Sequence, residues 1–333
     1  MRILVTGGCG FIGSHLIREL LAVKQVELLV NLDALTYSGN LANLAGVDDN
    51  RYIFIHGSIN DEEVVGKAIE GNRIDCIVHL AAESHVDRSI DSVSEFVKTN
   101  VDGTRVLLEG AKKVADTGGE IFFVHVSTDE VYGSLGFDEP PFTEETPLKP
   151  RNPYAATKAA SDMLVQSFVN THGIKAIITR CSNNYGPNQH PEKLIPLMVN
   201  NAIEGKILPL YGDGKQIRDW IHVIDHCRGI VKSMFGLIDE KIESGGVINF
   251  GANNEITNLE IVRMIVASTG GSEDLIEFVT DRPGHDRRYA MGYDKALEKL
   301  GWFPEIEWER GIKQTIDWYS TNREWCENML NNE

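Results

Sequence analysis

The sequence predicts an α/β fold built on a doubly wound parallel sheet, followed by a smaller, less regular α/β substrate-binding C-terminal domain. Two observations carry this expectation. Short Val/Ile/Leu-rich runs alternate with longer amphipathic stretches through the first half of the chain, the pattern of buried parallel strands joined by crossover helices. A glycine-rich turn, Gly8-Cys9-Gly10-Phe11-Ile12-Gly13, follows the first run and opens the first amphipathic stretch. That context is the one a dinucleotide-binding Rossmann unit requires.

The expected strands are residues 3–5, 26–32, 52–55, 74–80, 121–126 and 174–179. Between them, residues 11–23, 61–70 and 92–114 read as helices, with Asp61 as a candidate N-cap. Pro153 opens a further helix to about Thr171. The second half is more irregular: residues 187–196, 208–213 and 281–286 read as loop or turn, and residues 224–237, 259–267 and 308–329 as helices. No repeat and no Pro-, Gly- or Ser-rich linker separates the halves.

Composition narrows the class. The chain has 333 residues, enough for one large or two modest domains, with 42% hydrophobic and 24% charged residues. Its formal net charge of −17 argues against nucleic acid as a partner. Five cysteines without a CxxC pair predict a reducing, cytoplasmic setting rather than a disulfide framework. Ten histidines without ligand spacing predict no metal. Glycines interrupt the first apolar run before a signal-peptide core forms, and no run is long enough to span a membrane.

Three motifs carry chemistry. Gly7, Gly10 and Gly13 allow a tight turn and let a pyrophosphate approach the N-terminus of the following helix. Asp33 follows the next strand, where a carboxylate accepts hydrogen bonds from an adenine ribose and repels a 2′-phosphate, so NAD is expected over NADP. Tyr154 and Lys158 stand four apart and share one helical face. The ammonium is expected to lower the phenol from a pKa near 10 and make Tyr154 a general base. Thr128-Asp129-Glu130 ends the fifth strand, where doubly wound sheets place their ligands. Two adjacent carboxyl groups in a low-dielectric cleft do not both ionise cheaply, so an acid and a base stand side by side.

The glycine turn, Asp33, Thr128 and the Tyr154/Lys158 pair resemble the extended short-chain dehydrogenase/reductase family over essentially the whole chain. Residues 81–89, 127–133 and 182–187 are similar to those of the nucleotide-sugar 4,6-dehydratases, and residues 212–220 and 281–289 to the branch acting on dTDP-glucose. The resemblance implies an NAD-binding domain over residues 1–182, to which some later segments return, and a mainly nucleotide-sugar-binding domain over 183–333. It implies transient oxidation at C4 of the sugar by bound NAD, elimination of water across C5 and C6, and hydride return to C6. In that scheme Tyr154 takes the O4 proton and Thr128 bonds the same oxygen. Glu130 removes the C5 proton, Asp129 protonates the departing hydroxyl, and Lys158 supports Tyr154. Related epimerases usually carry small neutral residues in place of the Asp-Glu pair.

The same resemblance assigns the cofactor to Gly7, Gly10, Phe11, Ile12, Gly13, Asp33, Ala34, Leu35, Thr36, Ser58, Ile59, Leu80, Ala81, Ala82, Ser84, Thr99 and Asn184, together with Tyr154 and Lys158. It assigns the nucleotide sugar to Ser84, Thr128, Asn183, Lys193, Leu194, Pro209, Tyr211, Arg218, Asn258, Asp281, Arg282 and His285, with Arg218 on the diphosphate. Ser58 stands where the family commonly has an aspartate for the adenine amino group, and Asn60 or Asp61 are the nearby substitutes. A homodimer is expected through the helices near residues 92–114 and 153–171. Alternatives stay open: the same reaction on UDP-glucose, an epimerase or decarboxylase of this fold, or a catalytically silent NAD-binding protein. Intact Tyr154, Lys158, Asp129 and Glu130 speak against the last.

Overall fold

The computed structural model describes residues 1–331; the last two residues of the expected C-terminal domain lie outside them. Seven parallel strands form the main sheet in the order β10-β6-β5-β4-β1-β2-β3. They are β1 (Arg2–Thr6), β2 (Leu28–Asp33), β3 (Tyr52–His56), β4 (Cys76–His79), β5 (Phe122–Thr128), β6 (Lys175–Cys181) and β10 (Val247–Phe250). The chain winds outward from β1 to β3, then crosses back to β4. The switch point therefore falls between β1 and β4, where such sheets open a crevice at their C-terminal ends.

Successive strand residues point to opposite faces, and both faces are covered. Ile3 and Val5 pack toward α1 (Phe11–Leu21), whose Leu16, Ile17 and Leu20 are fully buried, and toward α8 (Val223–Ile238). Leu4, Val30 and Leu32 pack on the other face against α2 (Glu62–Gly71) and α5 (Gly103–Asp116), which lie beside α6 (Pro153–His172). Each buried Val, Leu or Ile contributes roughly 1.5–3 kcal/mol relative to exposure, so strands apolar on both faces are stable only as the middle layer.

The expected helix over 92–114 is more broken than its pattern implies. After α3 (Val86–Asp91), α4 (Ser94–Phe96) runs through a π-helical turn, Val97–Asp102, into α5. That turn brings Asn100 inward, where its amide exchanges hydrogen bonds with the Glu83 backbone at 2.8 and 3.0 Å. Asp61 caps α2 as expected, accepting from the Glu63 and Val64 N–H groups.

The second half holds short elements that the sequence pattern did not reveal. β7 (Asn183–Tyr185), β9 (Ile217–His222) and β11 (Glu255–Thr257) form one small sheet, and β8 (Leu208–Tyr211) with β12 (Ile276–Val279) another. Two stretches expected as loop contain regular structure. α7 starts at Leu194 (Leu194–Glu204), because Pro196 sits in its first turn, where a missing N–H costs nothing; and residues 208–211 form β8 before the turn. The expected helix over 308–329 is two, α11 (Trp308–Thr321) and α12 (Arg323–Asn331), parted at Asn322. α9 (Asn258–Thr269) starts from a capping box made by Thr257 and Glu260, and α10 (Asp294–Leu300) follows it. Residues of α7, α9, α11 and α12 share a separate apolar core that includes Met198, Ile265, Ile316 and Cys326. No helix among the described residues is long and apolar enough to cross a membrane.

Candidate active site

A cleft of about 370 Å³ opens at the switch point. At one end is the glycine turn. Gly7 carries φ +73°, and a Cβ there would meet the Ala81 backbone at 2.8 Å. A Cβ on Gly13 would collide with the Gly7 carbonyl and lie 2.7 Å from the Gly8 Cα. Gly10 precedes α1 with no side-chain cap and no acidic residue in the first turn, leaving the helix N-terminus available to an anion. Asp33 ends β2 with its carboxylate accepting from the Cys9 N–H and the Leu35 N–H, both at 2.8 Å.

At the other end, β5 runs into a 3₁₀ turn, Asp129–Tyr132. The Thr128 hydroxyl caps this turn by accepting the Glu130 N–H at 3.3 Å and donates to Asp129 Oδ1 at 3.1 Å. Asp129 is buried, and its Oδ2 has no hydrogen-bond partner among the described residues. Glu130 accepts from Asn152 Nδ2 at 2.9 Å. Asn152 is also the N-cap of α6, accepting the Ala155 N–H at 2.8 Å, so one side chain starts the helix bearing Tyr154 and fixes Glu130.

The two carboxyl groups differ in their surroundings. Burial, then the neighbouring Glu130 charge, holds Asp129 well above the ordinary carboxylate range. Burial also raises Glu130, but Asn152, Arg282 and Arg218 all pull it back. Of the two, Asp129 is the more strongly pushed to keep its proton, and Glu130 is the one whose neighbours favour ionisation. Tyr154 and Lys158 project into the same cleft from consecutive turns of α6. Lys158 Nζ donates to the Val126 carbonyl at 2.8 Å, and burial lowers its pKa to about 8. The expected lowering of the phenol is outweighed. Burial, then the charges of Glu130, Cys181 and Asp129, holds Tyr154 well above its ordinary value, and a hydrogen bond with Thr128 lowers it in part.

Residues 4–315 match the GDP-mannose 4,6 dehydratase family. The chain is 47% identical to the dTDP-glucose 4,6-dehydratase of Xanthomonas campestris pv. campestris over 98% of its own length and 95% of that relative. The chain belongs to the dTDP-glucose 4,6-dehydratase family. The Haemophilus influenzae enzyme of that name is 48% identical, with 97% of this chain and 98% of that relative covered. Among solved structures, the dTDP-glucose 4,6-dehydratase of Streptomyces venezuelae, crystallised with NAD bound, superposes with a TM-score of 0.93 at 47% identity, covering 99% of this chain and all of that one. The UDP-glucose 4-epimerase of Thermotoga maritima reaches a TM-score of 0.87 at 30% identity over 97% of this chain and 100% of that one. Fold alone thus groups dehydratases with epimerases, and the difference between them lies in side chains.

The residues expected from sequence to hold the cofactor come together in the structure. All line the cleft except Leu35, which turns into an adjoining recess beside Met329. Ser58 lines it too, whereas Asp61 is committed to capping α2 and the Asn60 amide donates to the Lys98 carbonyl. Of the three, Ser58 is the group that faces the cleft.

Of the sugar-nucleotide residues, Ser84, Thr128, Asn183 and Lys193 line the cleft. The others approach through a linked set of loops. Asp87 accepts from Arg282 at 3.2 Å and from the Tyr211 hydroxyl at 3.3 Å; Asp281 lies 2.5 Å from His285 Nδ1 and accepts from Gln216 at 3.2 Å. Asn258 joins the same set through its N–H to the Gln216 carbonyl at 3.0 Å. Arg218 is buried, stacked 4.4 Å over Tyr289, and donates to the Asp286 carbonyl at 3.0 Å. Leu194 opens α7, next to Lys193, and packs against the apolar core of the second half; Pro209 sits on β8 opposite Glu277, two residues before Tyr211.

Sequence reasoning missed several cleft residues, including Tyr37, Ser127, Cys181 and Glu192, and it missed Asn152 and Asp162 behind the cleft. Asp162 was visible as the next step of the Tyr154, Lys158 stride. It is buried, ion-paired with Arg180 at 3.0 Å and 3.4 Å from His125, and its charge opposes the lowering of Lys158.

Proposed function

We propose that this chain is an NAD-dependent dTDP-glucose 4,6-dehydratase, converting dTDP-glucose to dTDP-4-keto-6-deoxyglucose and water. The observation that carries the reading is the Asp129–Glu130 pair, held in the same cleft as Tyr154; burial pushes both toward the protonated form, Asp129 strongly and Glu130 against the pull of Asn152, Arg282 and Arg218. The names of the relatives and of the Streptomyces venezuelae structure support the substrate and the cofactor.

The residues present fit NAD. The uncapped N-terminus of α1 suits its pyrophosphate, backbone packs directly on backbone at Gly7 and Gly13, and the Asp33 carboxylate suits a ribose hydroxyl. When bound, NAD supplies a hydride acceptor for C4 and afterwards a hydride donor for C6. Tyr154 accepts the O4 proton as the phenolate, which burial disfavours and which the Thr128 hydrogen bond and a charged Lys158 one helical turn away favour; Thr128 also holds the O4 oxygen. The resulting ketone acidifies the C5 proton, which Glu130 removes. Asp129 donates its proton to the C6 hydroxyl, which leaves as water; Glu130 exchanges its proton with solvent and returns one to C5, and transfer through solvent of the proton gained by Tyr154 back to Asp129 closes the cycle.

Lys193, Arg218 and Arg282 bring three cations within electrostatic reach of Glu130 in a chain whose net charge is −17. Such local concentration suits the diphosphate of a sugar nucleotide. The division of the chain near residue 182 remains our reading, as does a homodimer, which exposed Val93, Val97 and Met163 support. Five free, buried cysteines support a cytoplasmic location.

Incubation with dTDP-glucose and with UDP-glucose in deuterated water, followed by mass spectrometry, tests the reading. Loss of water with one deuterium gained, and faster from dTDP-glucose, is the expected outcome. A product of unchanged composition would replace dehydration with epimerisation, and faster turnover of UDP-glucose would change the substrate.

A further inference from the structure

Asn43 lies in the 3₁₀ turn Leu41–Leu44, outside the cleft lining, and is only 1% exposed. Both ends of its side chain are occupied. Nδ2 donates to the carbonyl of Cys9 at 2.9 Å, in the middle of the glycine turn. Oδ1 accepts the indole N–H of Trp325 at 3.0 Å and the Asn188 amide at 3.4 Å. The same Cys9 carbonyl also accepts from the Asn40 N–H at 3.0 Å, and the Cys9 N–H is held by Asp33. One buried amide therefore joins the glycine turn, the loop after β2, the loop after β7 and the C-terminal helix.

The helix is anchored on the same side. Trp325 and Met329 are four apart on α12 and share a face, and Met329 Sδ lies 2.9 Å from Asn40 Nδ2. Trp325 packs against Trp318, with ring centroids 5.0 Å apart, and the Tyr319 hydroxyl donates to the Gln189 carbonyl at 2.8 Å. Gln189 lines the cleft. A glycine turn is conformationally permissive by composition, so the Cys9 peptide depends on such outside hydrogen bonds to hold the turn in the one shape that leaves the N-terminus of α1 open to a ligand. Removing one partner from a buried network frees the others to rotate.

We propose that Asn43 is a positioning residue for the cofactor site and that α12, through Trp325, holds it in place, so that the C-terminal helix sets how tightly the glycine turn grips NAD. The proposal rests on the reading of this cleft as an NAD site. It requires no contact between α12 and the cofactor. Residues 9, 43 and 325 are far apart in sequence, which is why no local motif announces the link.

The test measures NAD affinity directly on the full-length chain, by titrating protein stripped of nucleotide and following intrinsic fluorescence. Trp325→Phe keeps an aromatic ring in the cluster but deletes the indole N–H together with part of the ring, a loss of size that Trp318→Phe matches; Asn43→Ala deletes all three hydrogen bonds of the amide. The expected Kd rises about fivefold to tenfold in the first and further in the second, with the KM for the sugar nucleotide unchanged at saturating NAD. Trp318→Phe perturbs the same aromatic cluster without touching Asn43 and is expected to leave the Kd within twofold. A Trp325→Phe Kd within twofold of the unmodified chain overturns the proposal, and so does an equal weakening by Trp318→Phe, which would mark helix stability alone. An unmodified chain that binds no NAD overturns the functional reading itself, and this inference with it.

Discussion

The two ends of the cleft are made of different material. At the glycine turn, backbone lies against backbone: the Gly7, Gly8 and Gly13 peptides and the Ala81 main chain approach too closely for side chains. At the sugar end, side chains from β5, α6, β9 and the loop after β12 converge, and their charges set one another's protonation. A backbone site is specified by short contiguous spacing, and it tolerates little. A side-chain site is specified by packing between distant segments, and single atoms within it decide the chemistry.

That contrast can be broken most sharply at Glu130. Glu130→Gln keeps the shape and the Asn152 neighbour but removes the base, and deuterium uptake at C5 should fall by about 10²–10⁴-fold while oxidation at C4 continues. Uptake within tenfold of the unmodified rate would move the base elsewhere. At the opposite end, Gly13→Ala adds one methyl where only backbone stands, and should cost about 1–3 kcal/mol in stability together with most NAD binding. A thermal melt and an NAD titration that both matched the unmodified chain would show that the turn yields more than its geometry implies.

The electrostatic half of the comparison is tested by pH. Lys158 carries its charge below its pKa of about 8 and loses it above, so kcat/KM should fall roughly tenfold per pH unit beyond that point. A flat profile to pH 9.5 would leave the ammonium without a role. Asp129 offers a stability test of opposite sign. Its folded pKa is raised above the unfolded value, so the native state binds the extra proton; stability is present below the unfolded pKa and lost as pH rises through the folded one. Asp129→Asn should therefore raise Tm at pH 7, lose that advantage near pH 4, and abolish dehydration. A lower Tm at pH 7 would mean that Asp129 is ionised and well paired. The smallest effect is expected at the adenine end, where Ser58→Asp should tighten NAD by severalfold if a carboxylate there suits the amino group. Unchanged affinity would show that Ser58 already suffices.

Much of the fold was legible. The six expected strands all exist within a few residues of their predicted bounds, because strands buried on both faces read as uninterrupted apolar runs. β7 and β11 escaped because Asn183–Tyr185 and Glu255–Thr257 are three residues long and largely polar, so no period can register in them. The break at Asn322 escaped because the apolar stride continues on both sides of it. Asn152 was missed for another reason: it reads as an ordinary helix cap, and its hold on Glu130 exists only once β5 and α6 pack together.

Local spacing along the chain already carries the glycine turn, the parallel core and the placement of two adjacent carboxyl groups after the fifth strand. These depend on local spacing and on the two-sided burial of short apolar runs. Tertiary packing sets which carboxyl group is pushed more strongly toward its protonated form, makes burial the largest influence on Tyr154, and brings the charges of Arg218 and Arg282 to bear on Glu130. Desolvation and charge coupling act between segments far apart along the chain, and they have no value until those segments meet.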